Sequence, residues 1–270
     1  MQGTKYTDDF LKEVYEYMIQ NEVGITALAR HFGVDRHRLK DELLKKYGYV
    51  ISRKDGKLEV DSNYFDIIDT EHKAYWLGFL TADGYLSDND YLELCLAEID
   101  KKHIEKFKSD IKSKHKISLK KTKLNGKTFN AYRIAIKDSQ IANNLRDLGF
   151  NNHKSYSAYI PFNKIPDNLM NHYIRGLFDG DGCAYKINKN GIGITICTTV
   201  SQMMINDITQ CIKEKIDINV KCSKDNTTNI CIYKQSDVKK FYEWIYKDAT
   251  ICLNRKYEKF AVLRQDCEKS

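Results

Sequence analysis

Apolar residues recur at helical spacing over residues 7–21, where Phe10, Leu11, Val14, Tyr15 and Met18 would line one stripe. The next stretch, GITALARHFGVDRHRLKDELLKKYG (24–48), predicts a short helix over 25–32, a break at Gly33 and a longer basic helix over about 35–46. Ile25, Leu28, Ala29, Phe32, Val34 and Leu39 would pack inward, leaving Arg36, His37, Arg38 and Lys40 outward at the start of the second helix. Residues 49–66 lose this periodicity around an Asp-Gly turn and read as a small hairpin or basic arm.

From residue 70 onward the pattern repeats. An apolar run, YWLGFLTADG (75–84), is followed by YLELCLAEI, where Leu92, Leu94 and Leu96 alternate as in a half-buried strand. A helix (DKKHIEKFKSDI), two strands around LNGK and a further helix (DSQIANNLRDLG) complete the unit. The second copy opens with YIRGLFDGDG (173–182) and runs through GIGITICTT, VSQMMINDITQCIKEK, INVKCSK, NICIYK and SDVKKFYEWIYKD. Each copy reads α-β-β-α-β-β-α, so the expected fold is α+β: two αββαββα repeats preceded by a small all-α domain. The predicted boundaries are 1–50 for the helical domain, 51–69 for a linker, 70–160 and 169–264 for the repeats, and 265–270 for a tail. Both prolines, Pro161 and Pro166, fall in the 161–168 stretch between the copies.

Charge sharpens the picture. The chain carries a net charge of +7, and residues 106–127 hold nine lysines and a single acid, a distribution suited to a phosphate backbone. A short helix, a glycine turn and a basic second helix form the helix-turn-helix pattern of DNA-binding proteins. No apolar stretch approaches the length of a spanning helix and the N-terminus has no signal-peptide pattern, so no membrane association and a cytoplasmic (or host-cell nucleoid) location are expected. The eight cysteines contain no CxxC and lack zinc-finger spacing; Cys95, Cys197, Cys211 and Cys231 read as small buried hydrophobes in a reducing compartment.

The two acid-glycine runs carry the candidate chemistry. Gly78 and Ala82 are four residues apart, as are Gly176 and Gly180, which clears one stripe on each helix for close helix packing. Each helix then ends in one aspartate, Asp83 or Asp181. Two carboxylates at two negative helix ends are unfavourable alone and favourable around a divalent cation, with hard Mg²⁺ preferring oxygen ligands. The motifs are not identical: two residues before the closing acid the second has Asp179, where the first has Thr81.

Two αββαββα copies opened by such helices resemble the LAGLIDADG homing endonucleases in their single-chain form, over about residues 70–262. The resemblance implies a monomer related by a pseudo-twofold axis, cutting both strands of a DNA duplex with Mg²⁺ (Mn²⁺ as substitute) held by Asp83 and Asp181. It also implies one basic catalytic residue late in each half. The matching positions are Lys154 and Lys256, which follow their aspartates by 71 and 75 residues, with Arg255 as an alternative to Lys256. Glu98 and Thr199 are the candidates for a further polar partner. A saddle-shaped sheet would read the DNA through Glu93, Lys121, Lys123, Tyr132 and Arg133 in the first half. Tyr185, Lys186, Asn188, Lys189, Thr195, Lys221 and Lys224 would do so in the second. The alternatives on this fold are a DNA-binding regulator that has lost cutting, and an RNA-splicing maturase.

Overall fold

A computed structural model describes residues 6–21, 23–48, 50, 58–124, 126–150, 161–187, 191–198, 202–223 and 228–260. The chain divides into two compact units, Met1–Glu59 and Val60–Ser270.

The first unit holds three helices, α1 (Asp8–Gln20), α2 (Ile25–His31) and α3 (Arg36–Tyr47). Thr7 starts α1, its hydroxyl accepting from Phe10 N, and Asp35 starts α3, accepting from Arg38 N at 2.8 Å. Between α2 and α3 the chain turns at Gly33, whose φ of +65° suits a residue without a Cβ. Leu11, Val14, Met18, Leu28, Ala29, Leu39, Leu43 and Val50 close a small core. Arg36, His37 and Lys40 lie exposed on α3, while Arg38 sets its guanidinium 4.8 Å from the centre of the Tyr6 ring.

The second unit repeats one pattern. The first copy runs α4 (Glu71–Asp83), β1 (Gly84–Leu86), β2 (Tyr91–Ala97), α5 (Lys101–Asp110), β3 (Ser118–Leu124), β4 (Lys127–Lys137) and α6 (Ser139–Asp147). The second runs α7 (Met170–Asp181), β5 (Gly182–Lys186), β6 (Ile192–Thr198), α8 (Gln202–Ile216), β7 (Lys221–Ser223), β8 (Thr228–Ile232) and α9 (Gln235–Tyr246), with a short α10 (Asn254–Tyr257) after it. Each copy builds a four-stranded antiparallel sheet, ordered β1-β2-β4-β3 and β5-β6-β8-β7.

The strands alternate as a sheet with one covered face must. Leu92, Leu94, Leu96, Ile134 and Ile136 fill the inner face of the first sheet, and Ile192, Ile194, Ile196, Ile230 and Ile232 that of the second. All join one core around α4 and α7. Tyr64, Phe65 and Ile68 are buried in that same core. The end of the 51–69 stretch therefore packs with the repeats. Of the cysteines named from the sequence, Cys211 and Cys231 are buried and Cys95 is half-buried. The side chain of Cys197 lies outside the described residues. Among the described residues no helix is long and apolar enough to cross a membrane.

Candidate active site at the paired helix ends

Helices α4 and α7 meet backbone to backbone because glycine leaves room. A Cβ on Gly78 would stand 2.0 Å from Tyr173 O, and one on Gly176 would stand 2.0 Å from Tyr75 O. Those two contacts are the same contact seen from the two repeats. Further along, a Cβ on Gly180 would lie 2.2 Å from Ala82 Cβ and 3.4 Å from Asp83 Oδ2. All four small residues read from the sequence thus sit in this interface. Their arrangement carries the Asp83 carboxylate across to the last turn of α7.

Both aspartates are the final residues of their helices, and the following glycines, Gly84 and Gly182, turn directly into strands with extended backbone. Asp83 is exposed and Asp181 half-buried. Lys256 comes to the same place. Its ammonium is buried and donates to Phe178 O at 3.0 Å and to Gly180 O at 2.5 Å, two carbonyls at the carboxyl end of α7. A cation there offsets the negative helix end. Burial lowers the Lys256 pKa, while the Asp179, Asp83 and Asp181 carboxylates pull it back up. Arg255 faces elsewhere, with Nε 2.9 Å from both carboxylate oxygens of Asp100.

The inner position of the second motif is structural. Asp179 is fully buried and accepts from Tyr246 OH at 2.5 Å, Leu253 N at 2.7 Å and Tyr75 OH at 2.8 Å. Burial pushes its pKa up and these donors pull it down. Tyr75 OH also lies 2.8 Å from His103 Nε2. With the tyrosine proton given to Asp179, the imidazole is the donor in that contact. Burial lowers the His103 pKa to about 3, which keeps the ring neutral.

Sequence reasoning missed a clamp made by the first repeat on the second. Glu71 accepts from Arg175 Nη2 at 2.5 Å, Thr250 N at 2.7 Å and Thr250 Oγ1 at 2.8 Å. Arg175 is fully buried and also donates to Ile245 O and Ile251 O. The segment that leads into Lys256 is therefore held by side chains from both repeats. One signal for it was present: Arg175 interrupts the apolar run immediately before Gly176, and a charge in such a position must be paired.

The strand registers decide where the remaining candidates point. Arg133 lies opposite Cys95 and Ser118 on the outer face of the first sheet. Lys121 and Lys123 do not share that face: their partners, Asn130 and Thr128, alternate with Arg133 and follow Tyr132 and Ile134 on the helix-covered side. The strand is shifted by one residue from the sequence reading, so Lys120 takes the outer position. Lys186 likewise pairs with Ile192 on the inner face, at the exposed end of its strand. Lys221, Tyr185 and Thr195 hold outer positions. Tyr132 is partly buried against the core. Glu98 follows β2 and accepts from Asn130 Nδ2 at 3.2 Å. Lys154, Asn188, Lys189, Thr199 and Lys224 lie outside the described residues.

Among the described residues no three metal-ligating side chains gather in one place. The two carboxylates are the hard oxygen donors that Mg²⁺ takes one or two at a time, its other positions being filled by water and substrate phosphates. The donor set fits such an ion.

Residues 168–246 match the family model described as a LAGLIDADG-like domain. No curated protein matches the sequence. Among solved structures, the homing endonuclease I-WcaI bound to its DNA recognition sequence is 16% identical, with a TM-score of 0.57 over 72% of this chain and 90% of its own. The LAGLIDADG meganuclease I-AabMI bound to uncleaved DNA is 15% identical, with a TM-score of 0.47 over 72% of this chain and 90% of its own. Full-length DUF199/WhiA from Thermatoga maritima is 14% identical, with a TM-score of 0.45 over 76% of this chain and 65% of its own. Residues 168–246 form a LAGLIDADG-like domain, and the paired repeats have the fold of a LAGLIDADG homing endonuclease.

Proposed function

We propose that the chain is a site-specific, divalent-metal-dependent DNA endonuclease that cuts both strands at the junction of α4 and α7. The observation that carries this reading is the glycine-packed contact, which sets one exposed carboxylate, Asp83, against the last turn of the helix that ends in Asp181. Duplicated helices with one terminal acid each suit a substrate with two antiparallel strands.

Asp83 and Asp181 would hold the metal. A divalent cation there supplies Lewis-acid stabilisation of charge on the phosphate oxygens and lowers the pKa of water. The protein's own residues do the rest. The outer faces of the two sheets hold the duplex, with Arg133 and Lys120 in the first and Lys221 in the second. Lys256 acts as a positioning residue, offsetting the carboxyl end of α7 and fixing the turn that presents Asp181. The three-helix unit, with Arg36, His37 and Lys40 outward, would act as a helix-turn-helix that extends the footprint.

The test is to incubate the full chain with a pool of plasmids carrying random or source-genome DNA, with Mg²⁺ or EDTA, and to sequence the broken ends. Magnesium-dependent ends at one preferred sequence are expected. Selective binding with intact DNA in both Mg²⁺ and Mn²⁺ would replace the endonuclease with a DNA-binding regulator on the same fold.

A further inference from the structure

We infer that Arg133 and Glu93 together read one G·C base pair on the outer face of the first sheet, an inference that rests on DNA lying against that face. Glu93 of β2 and Arg133 of β4 are diagonal neighbours, since Glu93 pairs with Ala135 and Arg133 with Cys95. The carboxylate is shared: Oε2 accepts from Arg133 Nη1 at 3.1 Å, and Oε1 accepts from Lys120 Nζ at 3.0 Å. Ala131 and Ala135 flank the cluster on the same face, so these three long side chains rise above short neighbours.

The guanidinium is only partly used. Its side chain is 43% exposed, and among the described residues its Nε and Nη2 donate to no protein atom. Glu93 engages the side chain at Nη1 and leaves Nε and Nη2, the other edge of a rigid fork, available to the O6 and N7 acceptors of guanine. The carboxylate beside it, 20% exposed, suits the N4 donor of the paired cytosine. A phosphate is the poorer partner for this pair. Although Lys120 shares the carboxylate at Oε1, the Glu93 Oε2 beside the guanidinium would repel phosphate oxygens where Arg133 attracts them. A base pair presenting acceptors on one side and a donor on the other uses both groups.

Selection from a random duplex pool by the full chain tests this, with the wild type compared with Arg133→Lys, Arg133→Ala and Glu93→Gln. Each of these side chains is on the sheet surface, and Arg133→Lys keeps the charge while removing the fork. The wild-type site should contain a G·C position preferred by about tenfold or more. That preference should collapse in both Arg133 variants and weaken in Glu93→Gln, with the other positions of the site unchanged. The inference is overturned if the variants keep every preference, or if they lose affinity equally across all sequences, as a phosphate contact would. A wild-type chain that enriches no sequence would instead overturn the DNA-reading function, and this inference with it.

Discussion

The carboxyl ends of α4 and α7 have the same backbone and different chemistry. In both, a glycine stacks on a carbonyl of the opposite helix at the same separation, and an aspartate closes the last turn. Two residues before that aspartate the ends diverge. Thr81 donates to Leu77 O of its own helix at 2.8 Å and lies 3.4 Å from Tyr173 OH. Asp179 holds three donors from three parts of the unit: Tyr75 of the opposite helix, Tyr246 of α9 and the backbone of Leu253. Tyr75 and Tyr173 are counterparts, so one cross-helix contact exists twice and has been strengthened once. At Gly78 and Gly176, where a Cβ would run into a carbonyl of the opposite helix, only glycine fits and the two halves match. Side-chain chemistry around it has no such requirement and can differ between the halves.

The largest effects should come from the symmetric feature. Gly78→Ala and Gly176→Ala each drive a methyl into a backbone carbonyl, and each should destabilise the second unit by about 3 kcal/mol or more. Denaturant unfolding of the two variants should give similar losses; one mild variant would show that the packing is not symmetric. Gly33→Ala is the contrast, because a Cβ there meets nothing and the strain comes from φ +65° alone. It should cost about 1–2 kcal/mol, confined to the first unit.

The next effects should be unequal. Asp179→Ala strands three buried donors and should cost about 3 kcal/mol or more, whereas Thr81→Val should change stability by about 1 kcal/mol or less. Equal losses would break the comparison. The smallest effect is in pH. Because burial raises the Asp179 pKa in the folded state, its contribution to stability is complete below the unfolded carboxyl value and is lost as pH rises through the raised folded value. Asp179→Asn removes that dependence. The variant's Tm should therefore improve relative to the wild type as pH is raised from about 4 towards neutrality, by roughly 2–4 °C for each 1 kcal/mol. A difference that stays flat with pH would show that Asp179 does not titrate there.

The repeat was legible because periodicity survives divergence. The shared run of apolar residues, a mid-run glycine and a closing Asp-Gly was enough to place α4 and α7, and the period-two leucines and isoleucines placed the sheets. Small residues four apart announced the helix contact. Register was harder: Lys120 and Lys121 are adjacent lysines on an exposed strand, and nothing in their own chemistry says which one faces outward. The resemblance points to Lys256 as a basic catalytic residue, but its role in holding the end of α7 was not legible, because its buried carbonyl partners belong to a helix seventy-odd residues away. Of the Glu71–Arg175–Thr250 clamp only the charge of Arg175 inside an apolar run was legible; its partners were not, since pairs so far apart in sequence leave no local period.

The most direct test of the account asks whether cutting needs the carboxylate at both helix ends. Asp83→Asn and Asp181→Asn should be compared with the wild type on the preferred site, measuring double-strand breaks with Mg²⁺ and binding without it. The account predicts that each variant loses at least 100-fold in double-strand cleavage while binding within a few-fold of the wild type. A variant of either aspartate that makes double-strand breaks at the wild-type rate would contradict it.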